Sequence, residues 1–170
     1  MLIGKVWVRD MRSLLPVSEG EAYDSRSLDD IRRIIIHHVG GGVNRDFTAK
    51  EIADYHVRSK GWPGIAYHFL AHPDGRLEYV GDIATVRYHV GALNRESVGI
   101  CLAGDFTTEA PRRIQLLRVL QLTYGIWRHL GRQVAVYGHR EVSDLTGYGW
   151  TECPGDTWDS WKAVLTHGVR

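Results

Sequence analysis

The run Ile34-Ile35-Ile36 constrains this chain more than any other stretch. Consecutive β-branched residues favour extended backbone, and neighbouring side chains on a strand point to opposite faces, so all three can be apolar only where both faces are covered. The run therefore predicts a central strand of a layered α/β domain. His37 and His38 close it, and Gly40-Gly41-Gly42 follows, which suits a loop beside a site.

The remaining elements fit that layer. Thr48-Ala49-Lys50-Glu51 has the pattern of a capping box, with Ile52, Tyr55, His56 and Val57 at helical spacing up to Gly61. Ile65 to Ala71 and Leu77 to Val80 flank Asp74-Gly75 and predict a β-hairpin. Val98 to Ala103 reads as a further buried strand. Pro111 to Leu130 carries apolar residues in helical rows and stops at Gly131, as a C-terminal glycine predicts. Val134 to Tyr137 returns as a strand, and Trp158 to Leu165 reads as a last short helix.

At 170 residues the chain suits one domain. Strand and helix alternate, so the expected fold is α/β, a single domain with a central mixed β-sheet flanked by helices. Residues 1–33 read as an N-terminal segment packed on the domain surface, with Val6-Trp7-Val8 as a short strand and Ser27 capping an acidic turn; residues 34–170 read as the domain that carries function.

Formal net charge is +1 and basic residues are spread along the chain, so electrostatics gives no case for a nucleic-acid partner. No run reaches membrane-spanning length, and the N-terminal residues lack the apolar core and cleavage site of a signal peptide. The expectation is a product made in the cytoplasm, without membrane insertion. Of the two cysteines, Cys101 lies in an apolar strand pattern and Cys153 in a turn, so no structural disulfide is expected, and Cys101 reads as a small buried hydrophobe.

A second apolar strand runs into a histidine at His139, and Cys153, held by Pro154-Gly155, stands fourteen residues on (139 to 153). One imidazole and one thiolate are ligands zinc accepts, and a third is needed. The other strand ending in histidine supplies it at His37. The His-to-Cys spacing is not that of a zinc finger, and a strand-end histidine is often a satisfied core residue, so these residues alone leave a metal site and a structural reading both open. Three protein ligands with a free position would describe a catalytic zinc, which activates water and polarises a carbonyl for amide hydrolysis. The oxyanion donor would be the Tyr67 phenol or the Thr151 hydroxyl, the latter two residues before Cys153 and on the same face of an extended segment. His68 alternates with Tyr67, so only one of them faces the site. No His-Glu-x-x-His helix is present. His56 and His72 read as solvated, and His129 and His167 as surface or helix-end residues. The six Trp either fill the core or form a stacking groove.

Several short pieces then occur in a specific order: Ile36-His37-His38; Ala66-Tyr67-His68-Phe69-Leu70 with Asp74-Gly75; Tyr88-His89-Val90-Gly91 with Asn94 and Ser97-Val98-Gly99-Ile100; Gly138-His139-Arg140-Glu141; and Thr151-Glu152-Cys153-Pro154-Gly155-Asp156. In this the chain resembles the zinc-dependent N-acetylmuramoyl-L-alanine amidases, a group that includes phage lysozyme-type endolysins and the peptidoglycan recognition proteins, from about Ile34 to Trp158. The resemblance implies an amidase-like fold over residues 34–170, zinc bound by His37, His139 and Cys153, and catalysis assisted by Tyr67, with Thr151 where family members carry Lys or Thr. It also implies a substrate groove lined by His38, His89 and Asn94. The implied reaction cuts the amide between N-acetylmuramic acid and L-alanine in peptidoglycan. The implied setting is a monomer acting at the bacterial cell wall after phage-type release or another export route. The alternative is a non-catalytic peptidoglycan-binding module, but such relatives usually lack the cysteine that this chain keeps. The cytosolic branch that recycles anhydro-muropeptides places Asp where Cys153 stands. The segment Val142 to Trp150 intervenes between two of the ligands and is expected to bear on substrate choice.

Overall fold

The computed structural model describes residues 1–166; His167 lies outside the described residues. A short antiparallel ribbon, β1 (Leu2–Ile3) with β2 (Val6–Trp7), opens the chain. β3 (Arg9–Asp10), β4 (Arg33–His38), β5 (Phe69–Ala71), β6 (Leu77–Tyr79), β7 (Ser97–Leu102) and β8 (Ala135–Gly138) form one six-stranded sheet in the order β3-β6-β5-β7-β4-β8. Only the β5–β6 pair is antiparallel, so the sheet is mixed. The helices are α1 (Ala49–Arg58), α2 (Arg113–Leu130), α3 (Ser143–Thr146) and α4 (Trp158–Thr166).

β4 is the central strand its composition predicts: Ile34, Ile35 and Ile36 are all fully buried. Ile34 and Ile36 face the layer made by α2 and α4, in one cluster with Leu116, Val119, Leu122, Ile126, Trp158 and Trp161. Ile35 points to the opposite face, against Val90, Leu93 and Val142, and α1 covers that face further along through Ile52 and Ala53 beneath Leu70 and Cys101. Period-two alternation thus divides the two histidines at the strand's end, His37 following Ile35 and His38 following Ile36.

The local signals work as read for α1 and α2. Thr48 accepts the Glu51 N–H while the Glu51 carboxylate accepts the Thr48 N–H, which closes the capping box; such a cap contributes about 1 kcal/mol. Gly131 ends α2 in the left-handed conformation. The hairpin is shorter than expected, because Tyr67 and His68 lie before β5; the His68 N–H bonds to Gly99 O, and its carbonyl accepts from both Val80 and Gly81. The N-terminal residues do more than cover the surface. Arg9–Asp10 add a parallel edge strand to β6, in a stretch too short and too polar to announce itself. Both cysteines are free, and Cys101 is fully buried. Trp158, Trp161 and Trp127 fill the core, whereas Trp7 and Trp150 are exposed. Among the described residues no helix is long and apolar enough to cross a membrane.

Candidate metal centre

β4 and β8 are parallel neighbours in the register Ile36↔Gly138. The next residue on each is a histidine, so the pairing that buries the isoleucines also delivers His37 and His139 side by side at the carboxyl edge of the sheet, where α/β sheets place their ligands. Their ring centroids lie 4.8 Å apart. Gly138 is needed there, since a Cβ on it would come within 2.7 Å of the Trp158 ring.

Cys153 arrives from the loop between α3 and α4, through a cis Cys153–Pro154 peptide. Arg140, the residue after His139, secures that loop. Its N–H bonds Cys153 O at 2.7 Å, and its guanidinium bonds Gly155 O at 3.1 Å and Asp156 Oδ1 at 3.0 Å. Gly155, at φ 107°, lets the loop cross the 106–107 backbone, which a Cβ would strike at 2.4 Å. Thr151 Oγ1 accepts the Cys153 N–H at 3.2 Å. Cys153 Sγ then stands 3.6 Å from His37 Nδ1, and one ligand atom from each of His37, His139 and Cys153 falls within 4.8 Å of the others. Tetrahedral zinc with its usual bond lengths separates a nitrogen and a sulfur ligand by about 3.5 Å. The donor set and this spacing both fit zinc, with one position left free by the protein.

The electrostatics suit a cation. Burial pulls His37 well below its ordinary pKa, and the neighbouring imidazoles of His139 and His89 add to the effect; burial brings His139 down to about 4. Both rings are therefore neutral and carry a free lone pair at physiological pH. Burial pushes the Cys153 thiol up to about 12, so a nearby dication is what would convert it to a thiolate.

Tyr67 stands beside the cluster, its ring centroid 5.2 Å from that of His37. Burial, reinforced by Cys101 and Cys153, raises its pKa well above 10, so the phenol remains a donor. Tyr67 also lines a cleft of about 620 Å³, together with Val39, Gly40, Arg45, Phe47 and Tyr55.

The other residues implicated by sequence are placed as follows. His38 lies on the opposite face of β4 from His37, accepts the Phe106 N–H on Nδ1 at 3.2 Å and packs against the Phe106 ring. His89 is buried behind His37, its Nδ1 2.9 Å from His37 Nε2. Half-buried Asn94 accepts the N–H groups of His89 and Val90 on its side-chain oxygen. Fully buried His68 accepts the Gly99 N–H, and its ring lies 5.6 Å from that of His89. His56 and His72 are buried, not solvated: His56 accepts the Ala66 N–H and packs on Trp62, and His72 sits between Asp46 and Glu78. Their partners come from remote or unpatterned positions, which left both looking solvent-facing. Arg140 gained no role from sequence, although its place beside a ligand was visible.

The sequence profile described as N-acetylmuramoyl-L-alanine amidase matches residues 27–156. Peptidoglycan-recognition protein SC2 of Drosophila simulans is 31% identical over 144 residues, covering 76% of this chain and 74% of that protein. One chain of the complex of tracheal cytotoxin with the ectodomains of peptidoglycan recognition proteins LCa and LCx gives 30% identity and a TM-score of 0.69 over 83% of this chain and 84% of that one. The endolysin amidase LysCS of Clostridium intestinale URNW shares the fold at 23% identity, with a TM-score of 0.72 over 96% of this chain and 97% of that one. With its order of motifs, its sheet and its clustered His, His and Cys in place, the chain belongs to the N-acetylmuramoyl-L-alanine amidase family.

Proposed function

We propose that this protein is a zinc-dependent N-acetylmuramoyl-L-alanine amidase that hydrolyses the amide between N-acetylmuramic acid and the L-alanine of the stem peptide. The observation that carries the reading is the convergence of His37, His139 and Cys153, three protein donors of the right kind and spacing with a free fourth position. Zinc held there would bring a water's pKa towards neutrality and polarise the amide carbonyl. Tyr67, beside the cluster and with its pKa raised by burial, would donate to the oxyanion as the carbonyl carbon becomes tetrahedral. Thr151 holds the Cys153 backbone and keeps its own hydroxyl proton for a second bond. The cleft that Tyr67 helps to line would receive the substrate.

Residues 34–170 form the catalytic unit in this reading, with residues 1–33 packed on it, and the monomer acts at the bacterial cell wall. The recognition proteins among the relatives support a second reading, binding without cleavage. Retention of Cys153 in the cluster favours hydrolysis. Incubating purified protein with cell walls, with and without a chelator, separates the two. Hydrolysis releases stem peptides with a new N-terminal alanine and stops on chelation. Wall binding that survives chelation, with no new amine, would leave only recognition.

A further inference from the structure

Behind His37 runs a line of buried polar groups that ends on an atom able only to accept. Ser97 Oγ lies 2.7 Å from Leu93 O, so the hydroxyl donates there. That leaves Ser97 Oγ as an acceptor for His89 Nε2, 3.3 Å away, which must then carry the hydrogen. A neutral imidazole has one N–H, so His89 Nδ1 is a bare lone pair, and it faces His37 Nε2 at 2.9 Å. His37 Nε2 must in turn donate. The remaining lone pair of His37 is on Nδ1, the atom 3.6 Å from Cys153 Sγ.

The structure holds this line rigidly. Asn94 ties down the N–H groups of His89 and Val90, and β7 carries Gly99 against the imidazole, where a Cβ would sit 2.8 Å from the ring. His37, His89 and Ser97 are all buried, so water cannot substitute for a missing partner. The opposite tautomer of His37 would set two lone pairs against each other, or would turn His89 over and leave a bare nitrogen facing Ser97 Oγ, whose proton is already committed to Leu93.

We propose that His89 and Ser97 are positioning residues that fix His37 as its Nε2–H tautomer and aim Nδ1 at the metal. The inference deepens the zinc reading and rests on it for its consequence, though not for the hydrogen-bond directions. Outer partners of this kind set ligand orientation and basicity, and their loss costs about ten- to a hundredfold in metal affinity.

Two measurements on the full chain test it. Nitrogen-15 NMR of the histidine rings in metal-free wild-type protein is expected to show protons on Nε2 of both His37 and His89; a proton on Nδ1 of either overturns the proposal, and no variant has to fold. Zinc affinity, read by competition with a chromophoric chelator, is expected to weaken about ten- to a hundredfold in His89→Phe and to recover largely in His89→Gln, whose side-chain oxygen can accept the same N–H. A folded His89→Phe with wild-type affinity also overturns it. Wild-type protein that takes up no zinc would defeat the metal reading instead, and the ring protonation would still decide the direction of the chain.

Discussion

His37 and His72 are both buried within reach of other titratable groups, yet their surroundings push their pKa values in opposite directions. Burial and surrounding imidazoles keep His37 neutral. Burial alone would do the same to His72, but Glu78, with Nε2 at 3.2 Å, and Asp46, with Nδ1 at 2.6 Å, together outweigh it and raise the pKa above 6.5. One ring is kept as a lone-pair donor, while the other is pushed towards its charged form between two carboxylates and fastens the 43–48 loop to the β5–β6 hairpin. Burial therefore does not decide what a histidine does. The charge of what it is buried with decides.

The largest effect should come from breaking the neutral cluster. Cys153→Ala removes the only anionic donor and is expected to abolish zinc uptake and lower wall hydrolysis by on the order of 10³-fold or more, with the fold retained by circular dichroism. Wild-type turnover in that variant would remove the metal from the mechanism.

His72→Phe tests the charged counterpart. It leaves the buried Glu78 carboxylate with only the half-exposed Arg76 guanidinium, 3.9 Å away, and should cost about 3 kcal/mol in denaturant unfolding, the low end for a broken buried pair because that second cation remains. Hydrolysis per folded molecule should change little, which separates a fastening role from a catalytic one.

Tyr67→Phe sharpens the neutral side further. If the phenol donates to the oxyanion, turnover should fall by about 10²-fold while zinc content stays stoichiometric. Loss of zinc in this variant would instead make Tyr67 a support for the ligands.

The smallest effect is a slope. Because the folded pKa of His72 is raised above 6.5, its stabilisation is complete below pH 6.5 and is lost as pH rises through the folded value. The stability difference between wild type and His72→Gln should therefore shrink on going from pH 6 to pH 9, as read by urea midpoints at each pH. A difference that grows with pH would mean His72 is neutral in the folded protein.

The same contrast explains what could be read from the chain alone. β4, the capping box of α1 and the glycine stop of α2 announce themselves through local pattern, whereas two apolar runs ending in histidine and a turn cysteine only offer His37, His139 and Cys153 as ligands, and the order of motifs shared with the amidases singles them out. The His72 fastening is invisible because Asp46 lies in an unpatterned loop and Glu78 alternates into a strand where a carboxylate looks exposed. His89 carried a motif but no geometry, and only the register beside Gly99 shows it behind His37. β3 and the true start of β5 depend on tertiary pairing rather than on their own residues.

Zinc-edge X-ray absorption on the purified full chain tests the central claim most directly. One sulfur and two imidazole nitrogens around a stoichiometric zinc, with the sulfur signal gone in Cys153→Ser, is the predicted result. A zinc bound without sulfur, or a correctly folded protein that retains no zinc, would contradict the account.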